Sequence, residues 1–453
     1  MAVKEMAVKE KESELVEKES ELAKTAPAAE EETKKPKISM EVIGGAKWTT
    51  TRDIKLLISA REDRGFGIAG YLVSEDKIPP TASSKWFIIP QSYPLATFYS
   101  TTIDYKLDPK DGMKTIYVWC RDGQGNISEA AVVNILLTSY EFIKKWGQAG
   151  TGDLEFTAPS SIAYAPDGGF YIVDTDNHRV QRFDKDFNFV KQLGGKGKTD
   201  GKFYYPRGVA VDPSSGDVYV VDSGNNRIQK FNAKGNFIKQ WGNVVKPTEE
   251  KKPGEWSYID GNETTFSAGG SPDVELYDPL NAVIDSKGDI WVVDSGNHRI
   301  KRYDKDGKLL SVWGVNGSLD GMLHYPCDIA VDDSQTIYVS DMGNNRIQKF
   351  DRDGKFIGKW GKKGMADGNL KLPLGIAFDS SGHIYVADSG NHRIQKFDKD
   401  GNFIDGFGLT GSGEGEFNAP VFVTIDKEGY IYVLDRTNAM VQKFKYVPRA
   451  KED

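Results

Sequence analysis

Short apolar runs separated by turns rich in Gly, Asp and Asn fill most of the chain, and they predict β-strands. Residues 374–408 show the pattern clearly, because LGIAFD, HIYVAD, RIQKFD and GNFIDGFG are strand-length runs joined by SSG, SGNH and KDG. Runs of this length bounded by such turns are typical of strands. Alternation within them suits a sheet that is covered on both faces. The stretch therefore predicts a four-stranded sheet.

The four-strand pattern recurs from residue 139 onward. The prolines that open the units are Pro159, Pro206, Pro279, Pro326, Pro373 and Pro420. The aspartates that end the second strands are Asp174, Asp222, Asp294, Asp341, Asp388 and Asp435. Four of the five proline intervals are 47 residues and the other is 73. Six such repeats, each too small to bury its own faces, predict an all-β fold: a six-bladed β-propeller.

The sixth unit lacks an outer strand. Its sequence stops after the third strand, which would leave an unpaired edge. Residues 140–147, YEFIKKWG, match the outer strands of the other units, and Gly147 precedes Pro159 by the usual 12 positions. We therefore expect strand 140–147 to complete the sixth blade and close the ring.

The phrase DSGNHR at residues 388–393 is where these repeats resemble the NHL family, whose units carry Asn-His-Leu or Asn-His-Arg at this place. The resemblance covers residues 139–448. It implies a six-bladed propeller that is used mostly for binding and scaffolding, with a few members that are enzymes or RNA binders.

Two further segments precede the repeats. Residues 38–138 hold about seven strand-like runs, the size of a β-sandwich. Their closing stretch, DGMKTIYVWCRDGQGNIS, resembles the last hairpin of bacterial immunoglobulin-like domains. Residues 1–37 carry 10 Glu and 8 Lys and predict a charged tail, disordered or partly helical. Self-association through this tail is an open alternative, because Val8, Leu15 and Leu22 are spaced by seven.

Composition narrows the classes of partner. A net charge of −7 gives no general reason to expect nucleic acid or an anionic membrane. No run approaches the ~20 apolar residues of a membrane span. Cys120 and Cys327 fall in separate predicted domains, so we expect no disulfide. The absence of a signal peptide favours the cytoplasm, whereas the immunoglobulin-like segment keeps an extracellular, cell-surface or particle-associated location open.

The repeated phrase is interpreted as a folding requirement. Its Asp can accept hydrogen bonds from turn amides, its Gly or Asn tolerates positive φ, and its Arg begins the next strand. Histidine occupies this turn in alternate units, but turns so far from the axis cannot share one zinc ion. We therefore expect no metal and no cofactor. The repeated arginines are expected to bridge blades.

Function is expected where the repeats differ. The interval from Gly242 to Pro279 is 37 residues instead of 12, and its insert carries Trp256, Tyr258 and Phe266, rings suited to protein or sugar contact. The other variable place is the predicted channel mouth, formed by the two residues after each opening proline. The distinctive residues there are Arg207, Asn281, Asp328 and Phe422.

These observations favour a non-enzymatic binding or scaffold protein that presents its loop-rich propeller face to a protein or glycan. One alternative is a propeller enzyme, lyase or lactonase-like, with a metal at the channel mouth. One Asp and one Asn are few ligands for such a metal, and no nucleophile motif occurs. The other alternative is single-stranded RNA binding, which the slight excess of acidic residues disfavours.

Overall fold

The computed structural model describes residues 35–90, 97–242 and 276–448. The chain divides into two compact units, Met1–Thr138 and Ser139–Asp453. Strands make up nearly all the regular structure of the described stretches, and none of their helices is long and apolar enough to cross a bilayer. The predicted tail falls almost wholly on residues 1–34, outside the described residues, as does its proposed role in self-association.

Two sheets are formed by the described residues of the N-terminal unit. Its strands are β1 (Lys37–Val42), β2 (Trp48–Thr49), β3 (Asp53–Arg61), β4 (Ile68–Ser74), β5 (Phe87–Ile88), β6 (Phe98–Lys106), β7 (Gly112–Asp122) and β8 (Ala131–Leu137). One sheet has the order β1-β3-β6, and the other has the order β2-β8-β7-β4-β5. Leu56 of the first sheet packs in one buried cluster with Ile116 and Ile135 of the second. Apolar burial between the two sheets therefore stabilises this unit.

Strand β1 differs from the sequence-based expectation. It begins at Lys37, one residue inside the predicted tail, and precedes DIKLLISA at residues 53–60, the first of the strand-like runs that the sequence indicates for this domain. Ile38, Met40 and Val42 alternate with polar residues, so the period of a strand is present in the sequence. The run is only six residues long and directly follows the charged tail, and it was therefore overlooked.

The described residues of the C-terminal unit form mainly six four-stranded antiparallel sheets. Sheet 1 is formed by β12 (Pro159–Tyr164), β13 (Phe170–Asp174), β14 (Arg179–Phe183) and β15 (Phe189–Gly194). Sheet 2 is formed by β16 (Gly208–Val211), β17 (Val218–Asp222), β18 (Arg227–Phe231) and β19 (Phe237–Trp241). Sheet 3 is formed by β20 (Ala282–Ile284), β21 (Ile290–Asp294), β22 (Arg299–Tyr303) and β23 (Leu309–Trp313). Sheet 4 is formed by β24 (Pro326–Val331), β25 (Ile337–Asp341), β26 (Arg346–Phe350) and β27 (Phe356–Trp360). Sheet 5 is formed by β28 (Pro373–Phe378), β29 (Ile384–Asp388), β30 (Arg393–Phe397) and β31 (Phe403–Phe407). Sheet 6 is formed by β34 (Pro420–Ile425), β35 (Tyr430–Asp435), β36 (Met440–Tyr446) and β9 (Tyr140–Trp146).

Short elements connect these sheets. Two parallel pairs are formed by β10 (Gln148–Ala149) with β11 (Glu155–Phe156), and by β32 (Leu409–Thr410) with β33 (Glu416–Phe417). Four 3-10 helices follow second strands, at Ser223–Asn225, Ser295–Asn297, Met342–Asn344 and Ser389–Asn391.

The first strands of the six sheets, which we call the inner strands, contact one another in a closed order. Strand β12 contacts β16, and the contacts continue through β20, β24 and β28 to β34, which contacts β12 again. Strand β9 pairs with β36, with Tyr140 opposite Tyr446 and Trp146 opposite Val441. The edge of β36 that sheet 6 would otherwise expose is thereby covered by β9, the first strand of the C-terminal unit.

Candidate functional site

The aspartate that ends each second strand is fully buried in a shared hydrogen-bond network, which we call the aspartate network. Asp222 accepts hydrogen bonds from Arg227 Nε at 2.7 Å, Asn225 Nδ2 at 2.9 Å and the Tyr204 amide at 2.7 Å. The equivalent aspartates are Asp174, Asp294, Asp341, Asp388 and Asp435. Each network fixes the turn and the incoming chain to one sheet, because buried carboxylates require such partners.

The repeated arginines are also held by the segment that enters their own sheet. Arg227 donates to the Thr199 and Lys202 carbonyl oxygens, both at 2.9 Å. Arg346 and Arg393 make equivalent bonds to the segments before their sheets. Their guanidinium groups therefore attach the incoming segment to the arginine's own sheet, instead of bridging neighbouring blades as expected.

Two of the three histidines in the repeated phrase act as hydrogen-bond acceptors, whereas His392 Nδ1 has no hydrogen-bond partner among the described residues. His178 Nδ1 and His298 Nδ1 each accept the backbone N–H of a tyrosine in the next unit, at 3.0 Å. Asn226 and Asn345 accept equivalent bonds through their side-chain oxygens. Burial, together with the electrostatic effect of His324, lowers the pKa of His298 to about 4. Within residues 35–90, 97–242 and 276–448, no three His, Cys, Asp or Glu side chains group to hold a metal.

A pocket lies where the inner strands begin. It is lined by Ser160, Arg207, Leu280, Asn281, Cys327, Asp328, Leu374, Gly375, Val421, Phe422 and Arg436. Every lining residue except Arg436 is one of the two that follow an opening proline. The structure thus brings Arg207, Asn281, Asp328 and Phe422 together. Trp256, Tyr258 and Phe266 lie outside the described residues.

Local backbone irregularity directs these side chains to the pocket. The residue before each opening proline has positive φ, for example 46° at Tyr205 and 48° at Tyr325. The pairing of β24 with β25 then shifts register between Pro326 and Asp328, and β12, β28 and β34 shift at the same place. Such bulges change the direction of side chains at the end of a strand. The residues that follow these prolines are consequently not held in regular strand pairing.

Asp328 connects three sheets at the pocket. Its Oδ1 accepts from Asn281 Nδ2 of the third unit and from the Ile329 amide, and its Oδ2 accepts the Ile376 amide of β28 at 2.7 Å. The side chain is 3% exposed. Burial raises its pKa to about 7, although these hydrogen bonds favour the ionised form.

Two arginines contribute positive charge. Burial, together with the charge of Arg207, lowers the pKa of Arg436 to about 10. The sequence analysis missed Arg436, although the repeats contain a signal for it. Arg436 directly follows a network aspartate, and it is the only charged residue at this position. The other units have Thr175, Ser223, Ser295, Met342 and Ser389 there. A comparison of this position across the repeats would have identified it.

Cys327 belongs to the apolar part of the pocket. Its thiol points to the Pro373 carbonyl oxygen at 3.2 Å and packs with Leu280 and Met342. Burial raises the pKa of this thiol well above its ordinary range. A thiol in this environment is not ionised at neutral pH, so it is not an activated nucleophile.

The family comparison agrees with the repeated network. The NHL repeat model matches residues 156–183, 203–231, 276–303, 323–350 and 370–397. The chain carries five NHL repeats. Each matched stretch includes the network aspartate and the arginine of its sheet. The sixth sheet lies outside the matched residues, and Ala439 and Met440 replace the His or Asn and the Arg of its turn.

Two curated proteins resemble parts of this NHL-repeat chain. "Protein brain tumor" of Drosophila melanogaster is 29% identical over 172 residues, which are 38% of this chain. "B-box type zinc finger protein ncl-1" of Caenorhabditis elegans is 34% identical over 76 residues, or 15% of this chain. The matches span only 14% and 9% of the lengths of those two proteins.

Solved structures share the fold. An auxiliary nutrient binding protein from Bacteroides thetaiotaomicron has a TM-score of 0.51 at 12% identity, covering 90% of this chain and 98% of that one. A structural genomics protein of unknown function from the same organism has a TM-score of 0.50 at 17% identity, covering 91% and 98%. Likeness at these identities concerns the fold alone. With the NHL repeats, it confirms the predicted β-propeller repeat fold.

Proposed function

We propose that this NHL-repeat protein is a non-enzymatic binding protein whose propeller recognises a protein or glycan partner at the inner-strand pocket. One observation carries the proposal. The side chains that recur between units are used in the aspartate networks, whereas the side chains that differ between units meet in the pocket. Residues committed to the fold cannot discriminate between partners, so recognition belongs to those that vary.

The composition of the pocket supports binding. Its empty space is about 450 Å³ when the open mouth is counted. Leu280, Leu374 and Phe422 provide apolar surface, while Arg436 and Asn281 provide a few polar groups. Apolar walls with few converging polar groups are typical of specific binding sites.

We also propose the finer architecture in which this site is set. The propeller has six blades, which the six four-stranded sheets and the closed order of inner-strand contacts support. The preceding unit is an immunoglobulin-like β-sandwich, which its two facing sheets support. The insert at residues 243–277, which the sequence analysis singled out for its aromatic residues, lies almost wholly outside the described residues.

The enzyme alternative would use Asp328 as an acid or base, because its raised pKa is typical of functional carboxyls. Its hydrogen bonds argue for a structural role instead. Both oxygens accept from donors, and those donors belong to three different units. Proton transfer to substrate would disrupt these bonds, so the geometry favours binding.

Arrays of defined glycans and peptides test the proposal with the full chain. Three proteins are compared: wild type, Phe422→Ser and Lys287→Ser. Serine suits position 422 because Ser161 is its equivalent in the first unit. Lys287 is an exposed residue at the opposite end of the inner strand of sheet 3 and provides the matched control.

We expect a ligand that binds wild type and Lys287→Ser but loses affinity for Phe422→Ser. Circular dichroism and thermal unfolding establish that the variants are folded. Equal retention of every bound ligand by Phe422→Ser would contradict the pocket as the recognition site. Turnover of a bound ligand by wild type, lost in Asp328→Asn, would favour the enzyme alternative.

A further inference from the structure

Strand β6 forms a long edge of the three-stranded sheet in the N-terminal unit. Its nine residues pair with β3 without interruption, from Arg61 opposite Phe98 to Asp53 opposite Lys106. Among the described residues, β3 is the only strand that pairs with it. A long, regular and exposed edge is a template for pairing with a further strand.

The outer strands of the six propeller sheets are edges of a different kind. Each is five to seven residues long, and a register shift interrupts the pairing of every one with the third strand of its sheet. Four of the six also carry lysine. Short length, bulges and lysine are the usual protection of an edge. Strand β6 has no bulge, and it has no charged residue from Phe98 to Ile103.

The backbone groups of alternate β6 residues point away from β3. Just beyond the two ends of the strand, the backbone amide of Glu62 donates to the Thr97 carbonyl oxygen, and that of Leu107 donates to the Arg52 carbonyl oxygen. Hydrogen-bonded pairs alternate along an antiparallel ladder, so the odd-numbered residues of β6 bond to β3. The even-numbered residues direct their N–H and C=O groups to the other side: Phe98, Ser100, Thr102, Asp104 and Lys106.

This side of β6 is complementary to a second copy of itself. Thr102 is the middle residue of the strand, so antiparallel pairing of Thr102 with Thr102 of the second copy aligns all nine residues. The pairing places the Ser100 hydroxyl opposite the Asp104 carboxylate, and the Phe98 ring opposite the Lys106 side chain. Hydrogen-bonded and cation–π pairs of these types stabilise neighbouring strands.

The other face of β6 gains burial from the same pairing. Tyr99, Thr101, Ile103 and Tyr105 point to the interior of the sandwich but are only half-buried. With Thr102 opposite its copy, each tyrosine lies opposite a tyrosine and each Thr101 lies opposite Ile103. Aromatic and β-branched pairs are favourable across strands. No two like charges face each other in this register.

We propose that two copies of this chain associate through β6, so that their three-stranded sheets join across a two-fold axis at Thr102. The interface is isologous, because the same strand is used by both copies. Pairing therefore occupies both β6 edges and ends at a dimer.

Sedimentation velocity with the full chain, across the micromolar concentration range, tests the proposal. Thr102→Pro removes an N–H that points away from β3, which an edge strand tolerates. Thr102→Lys places two like charges opposite each other at the axis. The control is Met113→Lys, which adds the same charge to β7 of the other sheet, where the side chain is 51% exposed.

We expect wild type and Met113→Lys to form dimers with equal dissociation constants, and both Thr102 variants to dissociate at least about tenfold more readily. Thermal unfolding establishes that each variant is folded. Because the two Thr102 variants act through different physical effects, the loss of one to misfolding leaves the other as a test.

Cysteine cross-linking tests the register. In the proposed pairing the two copies of residue 102 have Cα atoms about 5.5 Å apart, within the range of a disulfide. The two copies of residue 100 are offset by four residues, or about 13 Å, which is too far. Thr102→Cys should therefore form a disulfide-linked dimer at least about tenfold faster than Ser100→Cys under mild oxidation. Both native cysteines are buried, so wild type gives the background.

Three results would overturn the proposal. Monomeric wild type at every concentration would leave this edge to a strand of a different protein. A dimer that Thr102→Lys does not weaken would place self-association elsewhere in the chain. Equal rates of cross-linking in Thr102→Cys and Ser100→Cys would indicate random collision instead of a fixed register.

Discussion

Arg227 donates from Nε to Asp222 Oδ2 at 2.7 Å, and both side chains are almost completely buried. The same pair recurs as Arg179–Asp174, Arg299–Asp294, Arg346–Asp341 and Arg393–Asp388. The sixth sheet has Asp435 but carries Met440 in place of the arginine. The protein therefore contains its own comparison between a complete and an incomplete aspartate network.

Arg227→Met should destabilise the propeller by about 3 to 5 kcal/mol, because it leaves the Asp222 carboxylate buried without its cation. Chemical denaturation followed by tryptophan fluorescence measures the change. The matched control is Lys239→Met, which removes a largely exposed ion pair with Asp306. That variant should lose less than about 1 kcal/mol. Similar losses in the two variants would contradict the special role of the buried pair.

Met440→Arg should have the opposite effect in the sixth sheet. Burial raises the pKa of Asp435, so a guanidinium group beside it should lower that pKa and stabilise the folded state above about pH 4. We expect a gain on the order of 1 kcal/mol at pH 7, measured by thermal unfolding. Met440→Gln is the control, because it adds polarity without charge. An arginine variant no more stable than this control would contradict the prediction.

The sequence predicted the repeating part of the molecule because turn chemistry is local. Asp388, Asn391 and Arg393 stand within six residues of one another, and their spacing already implies one turn. It also predicted Arg207, Asn281 and Asp328 as one group, since a shared position in each repeat places residues at the same end of the inner strands. The repeat predicted that these side chains lie together, but it did not predict which side chain occupies the shared position in each unit.

Other features depend on contacts between distant residues, which periodicity does not encode. The bond from Asn281 to Asp328 joins positions 47 residues apart, and the burial that raises the Asp328 pKa follows from neighbouring sheets. Arg436 reaches the pocket from a turn, so it falls outside the set defined by the prolines. Strand β1 does carry apolar alternation, at Ile38, Met40 and Val42, but its six residues directly follow the charged tail and were assigned to it in part.

Gly208→Ala should destabilise the contact between the inner strands of sheets 2 and 3. A Cβ at position 208 would lie 2.6 Å from Asn281 Oδ1 and 2.7 Å from the Leu280 carbonyl oxygen, so the strands must separate. We expect a loss of about 1 to 3 kcal/mol in denaturation experiments. Gly358→Ala on outer strand β27 is the control, because no atom lies within 4 Å of its new Cβ. Equal stability of the two variants would contradict the close packing at the pocket.

The stability of the protein should depend on pH through His298. Its folded pKa of about 4 lies below the ordinary value of 6.5, because the buried ring is favoured in its neutral form. The unfolded state therefore binds the proton more readily, and stability falls as pH decreases from about 6.5 to about 4. The contribution of this residue over that range is roughly 2 kcal/mol.

His298→Asn isolates this contribution, since Asn226 and Asn345 already accept the same backbone bond in sheets 2 and 4. The variant should match wild type at pH 7.5 and exceed it at pH 5, because asparagine binds no proton. Denaturation midpoints at the two pH values measure the difference. A variant that loses stability in parallel with wild type would place the acid sensitivity elsewhere. Full stability at pH 7.5 would show that the histidine serves the turn as an acceptor, a role that amide and neutral imidazole share.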